Sequence, residues 1–192
     1  MNVLILEGGP RDGRGASCRK LAAMVAGEAG AKGHAVTTFE LDGLDIKPCH
    51  GCFACWLKHP GTCAFKDDQD QVLRAMATSD VQVWITPITF GGYSSVLKKA
   101  LDRFIPILLP FFELREGEIH HPIRYPLRRG LIVLGTRPAA DPEAERTFGD
   151  LVKRNALNLA SVLTEAIVVH DAEMDGSEDR LRRALEAAEE AL

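Results

Sequence analysis

Four of the five cysteines fall within fifteen residues, as Cys49-His50-Gly51-Cys52-Phe53-Ala54-Cys55 and then Cys63, the pattern C-x2-C-x2-C-x7-C. A thiolate at every third residue lets one turning loop present three sulfurs to one corner of a cube. A more distant fourth closes it, as in iron-sulfur cluster loops. Structural zinc usually takes two pairs separated by a dozen or more residues. The spacing favours a [4Fe-4S] cluster over zinc. A third reading stays open beside both, in which free thiols and Phe53, Ala54 and Trp56 simply pack over a sheet edge.

A second set of chemistry-bearing residues follows the apolar run Val3-Leu4-Ile5-Leu6. It reads Gly8-Gly9-Pro10-Arg11-Asp12-Gly13-Arg14-Gly15, with Ser17 and Cys18 behind it. A strand running through a glycine loop into a helix aims free backbone N–H groups and the positive end of the helix dipole at a phosphate. Neither G-x-x-x-x-G-K-[ST] nor G-x-G-x-x-G is present here, so one phosphate fits better than a triphosphate or a dinucleotide. The plain alternative is a turn that holds nothing. Cys18 stands at a helix start, where a thiol pKa tends to fall, although a bystander's role is simpler.

Lesser candidates are His120 and His121, read as a surface pair, and Arg124, Arg128 and Arg129, which either meet a phosphate or solvate a loop. Asp67 and Asp68 read as caps of the next helix. Paired carboxylates, a nucleophile elbow and H-E-x-x-H are all missing, which removes support for hydrolysis.

The elements that must position these residues follow from periodicity. Short apolar runs at 3–6, 131–134 and 166–169, the largely apolar Val81-Gln82-Val83-Trp84-Ile85-Thr86 and the β-branched 35–41 read as five strands covered on both faces. Helical stripes lie between them. The first is capped by Ser17 and ended by Gly30 and Gly33; the second spans about 68–78; the third runs from about 95 towards Pro106; the fourth carries Phe148 to Leu159; the last starts at Ser177. Parallel strands need crossover helices, so the prediction is an α/β fold, a doubly wound five-stranded parallel sheet with helices on both faces. One domain spans 1–192, with a cysteine-rich loop at about 45–67 and an irregular insertion at about 106–129 that has no strand or helix of its own. Ligands of such sheets sit at the carboxyl ends of the strands, where loops 7–17, 86–94 and 135–141 meet.

Composition narrows the partners. Twenty-three Lys and Arg against twenty-seven Asp and Glu give a net charge of −4, with no basic field for a nucleic acid. The longest apolar stretch, 104–112, is broken by Pro106 and Pro110 and is too short to span a membrane. The first residues do not form a secretory signal, so a cytoplasmic location is expected.

Two stretches carry a family resemblance. Leu6-Glu7-Gly8-Gly9-Pro10-Arg11 with Ser17 is similar to the G-S-P-R loop of NAD(P)H-dependent FMN reductases. Thr86-Pro87-Ile88-Thr89-Phe90-Gly91, followed by Leu97-Lys98-Lys99-Ala100-Leu101-Asp102-Arg103, is similar to their P-x-Y-x-G and L-K-x-x-x-D-R stretch. With its compact cysteine motif, the chain resembles the iron-sulfur flavoprotein branch, closely over about 2–104 and by element order beyond. The resemblance implies a flavodoxin-like fold that binds FMN, its phosphate on Gly9, Pro10, Arg11, Gly15, Ala16, Ser17 and Cys18. The isoalloxazine would lie against Pro87, Ile88, Thr89, Phe90 and Gly91 and the loop after Gly135 and Thr136. Gly9 replaces the family's usual Ser and Thr89 its usual Tyr, which removes one hydroxyl donor and one aromatic ring.

The expected function is an FMN-dependent oxidoreductase or electron-transfer flavoprotein with a [4Fe-4S] cluster on Cys49, Cys52, Cys55 and Cys63, linked to NAD(P)H or ferredoxin. The rivals are a cluster-free reductase of flavin, quinones or nitro compounds and a flavodoxin-type electron carrier. The cofactor performs the redox chemistry, so no general acid or base is assigned. Its redox partner is a small molecule or another protein. The apolar Phe111, Phe112, Ile119, Ile123 and Tyr125 predict a homodimer or homotetramer.

Overall fold

The computed structural model describes residues 1–192. Five parallel strands, β1 (Asn2–Glu7), β2 (Ala35–Glu40), β3 (Val81–Pro87), β6 (Gly130–Arg137) and β7 (Leu163–His170), form one sheet in the order β2-β1-β3-β6-β7. That order is the flavodoxin-like doubly wound arrangement, whose winding reverses between β1 and β3. Alternation along each strand divides the core. Val3, Ile5, Val83, Ile85, Ile132 and Leu134 face α1 (Ala16–Ala31) and α6 (Glu178–Ala191), while Leu4, Leu6, Trp84, Leu131 and Val133 face α3 (Gln69–Thr78), α4 (Ser95–Asp102) and α5 (Pro142–Asn158). Each such side chain contributes about 1.5–3 kcal/mol by burial, which explains why the central strands are apolar on both faces. Gln82, one of the few buried polar residues of these strands, is satisfied: its amide donates to Met76 O at 3.0 Å and accepts from Trp84 Nε1 at 3.1 Å. No helix is long and apolar enough to cross a membrane.

Several local expectations need correction. Ser17 does not cap α1: Gly15 occupies the cap, and the Ser17 hydroxyl, inside the first turn, donates to Asp171 Oδ1 at 2.8 Å. A short 3-10 turn at Gly13–Gly15 feeds directly into α1 and displaces the cap upstream. Gly30 lies within α1, since nothing there requires a positive φ; Gly33, at φ +78°, is where the chain turns. The third helix stops at Asp102, and Pro106 belongs to a separate 3-10 turn, Ile105–Ile107. Asp68 makes no side-chain cap of α3; its Oδ2 accepts from Asp45 N, and Asp67 Oδ1 accepts from Gln69 N at 3.2 Å. Ser177 likewise caps α6 without a side-chain bond to it.

The stretch 106–129 is not featureless. It carries the hairpin β4 (Glu113–Arg115) and β5 (Glu118–His120), joined by Glu116 and Gly117 at φ 49° and 80°. Two consecutive positive φ values give the turn the handedness that matches twisted antiparallel strands. Three-residue strands without a continuous apolar face are too short for periodicity to register.

Candidate functional site

The loops after β1, β3, β6 and β7 converge at the carboxyl edge. Gly8 N donates to Ile85 O at 2.8 Å, and a Cβ on Gly8 would lie 2.6 Å from Leu97 Cβ, so only glycine admits α4 this close. Ser94 ties two loops together: its hydroxyl donates to Gly8 O at 2.5 Å and accepts from Leu97 N, capping α4. Cys18 Sγ lies 3.4 Å from Thr136 Oγ1, which joins α1 to the end of β6. Ile88 N donates to Thr136 O, and Ile88 packs so tightly over β6 that a Cβ on Gly135 would lie 2.6 Å from its Cδ1. Thr89 and Gly92 exchange backbone hydrogen bonds of 2.8–2.9 Å around Phe90 and Gly91, at φ 49° and 75°. This strained turn holds the Phe90 side chain fully exposed at the rim.

The glycine loop is braced from within. Gly9 N donates to Glu7 Oε1 at 2.8 Å, and a Cβ on Gly9 would meet that oxygen at 2.5 Å and Cys18 Cβ at 2.9 Å. The departure from the family's Ser is therefore a packing consequence of buried Glu7. Burial pushes the Glu7 carboxyl above its usual range, against the Gly9 N–H and Arg19, which favour its charge. Arg19 Nη1 donates to Pro10 O at 2.9 Å, Arg11 N donates to Asp42 Oδ2 at 2.8 Å, and the Arg11 guanidinium sits over Gly43. Arg14 pairs with Asp12 at the surface. Cys18 is fully buried, and burial pushes its thiol up to about 12, the opposite of the fall expected at a helix start.

The cysteine loop gathers around one small pocket lined by Cys49, Cys52, Cys55 and Cys63 together with Arg103 and Phe65. Cys49 and Cys52 are exposed, Cys63 is half-buried and Cys55 is buried. Burial, and next the neighbouring Cys63, push the Cys55 thiol up. No three His, Cys, Asp or Glu side chains converge closely enough to hold a single metal ion. Trp56, on the one-turn helix α2 (Ala54–Leu57), fastens the loop to the body, its Nε1 donating to Ile105 O and Leu108 O at 3.2 and 3.0 Å. Arg103 and Asp67 form a fully buried ion pair, and Arg103 Nη1 also donates to Lys47 O at 3.1 Å. Burial opposes the Arg103 charge, but Asp67 and then Cys63 outweigh it and raise its pKa. Arg103 Nε and Nη2 have no partner. The sequence placed this arginine in a family-like stretch but gave it no role, because at the end of an amphipathic helix it carries no signal of burial.

The remaining candidates are structural. His120 is buried, with Nδ1 3.0 Å from Asn158 Oδ1, so the adjacent histidines are not a surface pair; His121 stacks between Trp56 and Phe112. Arg124 donates to the carbonyls of Pro106 and Leu108, Arg129 to Met76 O and Tyr125 O, and Arg128 to Ala191 O. Carbonyls around the 3-10 turn at Ile105–Ile107, of Met76 in α3, of Tyr125 and of Ala191 at the end of α6 take these guanidinium groups, and Arg128 alone of the three is exposed.

A glycine loop on β1, a rim loop on β3 and this strand order define a flavodoxin-like flavoprotein. The chain belongs to the NADPH-dependent FMN reductase family, whose profile matches residues 1–116. An iron-sulfur flavoprotein from Archaeoglobus fulgidus is 32% identical over 130 residues, covering 68% of this chain and 62% of that protein. One from Methanocaldococcus jannaschii is 37% identical over 67 residues, covering 35% and 34% respectively. The chain thus aligns with less than two thirds of the length of these relatives. Among solved structures, an NAD(P)H:quinone oxidoreductase from Methanothermobacter marburgensis superposes with a TM-score of 0.70 over 96% of each chain at 15% identity, which establishes the shared fold.

Proposed function

We propose that the protein is a cytoplasmic FMN-dependent oxidoreductase, supplied with electrons by NAD(P)H, that also carries a [4Fe-4S] cluster on Cys49, Cys52, Cys55 and Cys63. The observation that carries this reading is that all four cysteines line the same pocket as the buried Arg103, two of whose guanidinium nitrogens have no oxygen or nitrogen acceptor. That donor set suits an anionic, thiolate-bound group. The names of the two archaeal relatives support the same assignment. When bound, FMN supplies exchange of hydride or electron pairs and the cluster supplies single-electron transfer.

The chain's own residues hold and orient these groups. The first turn of α1, at Ser17 and Cys18, offers backbone N–H groups without intrahelical acceptors to the FMN phosphate, and Arg11, Arg14 and Arg19 supply positive charge around it. Pro87 to Gly91 form the floor and rim for the isoalloxazine. Ser94 joins that rim to the glycine loop, while α4, eight residues or about 12 Å long, leads from Ser94 to Arg103 in the cysteine pocket. One short rigid element thereby sets the flavin loops and the cysteine site relative to each other. Leu114 and Ile119 on the hairpin, with Phe111 and Phe112 just before it, are exposed, and a second copy of the chain would cover them.

Anaerobic reconstitution with iron, sulfide and FMN tests the assignment. The expected result is one FMN and one four-iron cluster per chain, with riboflavin bound more weakly than FMN and an oligomer by sedimentation. Wild-type protein that binds FMN but no iron or sulfide would make it a cluster-free reductase, and equal affinity for riboflavin would remove the phosphate site.

A further inference from the structure

We propose that Arg103 is the residue that tunes the cysteine site, its Nε–H and Nη2–H donating to cysteine thiolate or cluster sulfur and thereby setting the cluster's reduction potential. The proposal deepens, and rests on, the cluster reading above. Its side chain is wholly buried, and Nη1 serves Asp67 and Lys47 O, while Nε and Nη2 have no oxygen or nitrogen acceptor and the neighbouring anionic group left to them is Cys63. A buried, charged donor left without an acceptor is costly, and native structures rarely keep one. The unspent edge belongs to a pocket whose other walls are mainly apolar, with Phe65 lying 5.5 Å from Arg103 Cζ. The anionic acceptors that this pocket can present are the sulfurs of Cys49, Cys52, Cys55 and Cys63.

The geometry suits arginine specifically. Its planar fork lets Asp67 fix one nitrogen while the other two keep a set direction, which a lysine ammonium cannot do. Asp67 itself is held by Lys47 N and Gln69 N, so the fork is oriented from the first turn of α3. Donors and positive charge beside cluster sulfur favour the more negative, reduced state and raise its potential. Arg103 is therefore a positioning and tuning residue, distinct from the four ligands.

The test uses full-length protein reconstituted anaerobically, comparing wild type, Arg103→Lys and the charge-neutral pair Arg103→Gln with Asp67→Asn. Arg103→Lys keeps the ion pair with Asp67 and removes the fork; the double variant removes both charges together and so leaves no buried unpaired charge, which keeps a folded protein available either way. Iron, sulfide and FMN are counted, and cluster and flavin potentials are titrated with EPR and absorbance detection. The expected result is wild-type FMN content and flavin potential, with the reduced-to-oxidised ratio of the cluster at a fixed potential lowered about tenfold, equivalent to ~59 mV for one electron. Loss of iron from Arg103→Lys with FMN retained supports the same role. Unchanged iron content and cluster potential in both variants overturns the role of Arg103 and leaves the cluster reading standing. A wild type that takes up no iron and sulfide overturns the cluster reading and this inference with it.

Discussion

The two loops that follow neighbouring strands of the sheet are finished to different degrees. The glycine loop after β1 spends its polar groups internally: Gly9 on Glu7, Arg19 on Pro10, Ser17 on Asp171, Arg11 N on Asp42. The cysteine loop after β2 is pinned at its base by Trp56 and the Arg103–Asp67 pair but leaves four thiols outside any disulfide and two guanidinium nitrogens without an oxygen or nitrogen acceptor. The first is pre-organised and gains little order when a phosphate arrives, whereas the second is completed by what it binds. Affinity at the first site should resist small changes, and folding at the second should depend on its occupant.

The largest expected effect separates the loops outright. Cys55→Ser should drop iron content below about a tenth of wild type, because ligation needs that thiolate, while FMN per chain stays constant. Limited proteolysis within 49–66 should accelerate in step with the loss of iron; a loop equally resistant with and without iron would erase the contrast.

Next comes the base of the cysteine loop. Asp67→Asn leaves the Arg103 charge buried and unpaired, at a cost of about 3–5 kcal/mol, or roughly 6–20 °C in Tm. The Asp67 pKa is lowered in the fold: burial opposes this, and the Arg103 hydrogen bond, Lys47 N and Arg103's charge outweigh it. A depressed carboxylate stabilises above its unfolded pKa, near 3.9, and loses that contribution as pH falls through the lower folded value. Thermal melts from pH 5 down to pH 2 should therefore steepen in wild type relative to Asp67→Asn.

Gly9→Ser probes the braced loop with a smaller change. The new Cβ meets Glu7 Oε1 and Cys18 Cβ, so stability should fall by about 1–3 kcal/mol in chemical denaturation, despite the added hydroxyl. Pairing it with Glu7→Ala should recover more than the sum of the single effects, since the two residues touch. Additive behaviour would mean that Glu7 is not the obstacle.

The smallest effect belongs to Glu7→Gln. Burial raises the Glu7 pKa, so its favourable contribution is full below the unfolded value and is lost as pH rises through the folded one. At pH 8 the neutral amide should raise Tm by no more than ~4 °C, keep the acceptor for Gly9 N, and tighten FMN by removing negative charge below the phosphate. Weaker FMN binding would count against the phosphate lying over this loop.

Much of the architecture was legible because apolar periodicity is a local property. Val3 to Leu6, Val81 to Thr86 and Leu131 to Leu134 announce strands covered on both faces, and the observed parallel order agrees. The hairpin at 113–120 escaped because its strands are short and its apolar residues, Leu114 and Ile119, face solvent. The cysteine spacing and the glycine loop identified both candidate sites, since spacing along the chain limits what a loop can present.

Type and spacing of residues by themselves determined the fold class, the family resemblance and the cysteine quartet, all of which depend on near neighbours in the chain. Tertiary structure alone decided which donors remain free. Arg103 meets Asp67 across 36 residues and Ser17 meets Asp171 across 154. Burial of Cys18 and Glu7 arises from packing between α1 and the sheet, and it reverses the thiol chemistry that a helix start suggests. Hydrogen-bond satisfaction and desolvation are set by what surrounds a group in three dimensions, so no local pattern encodes them.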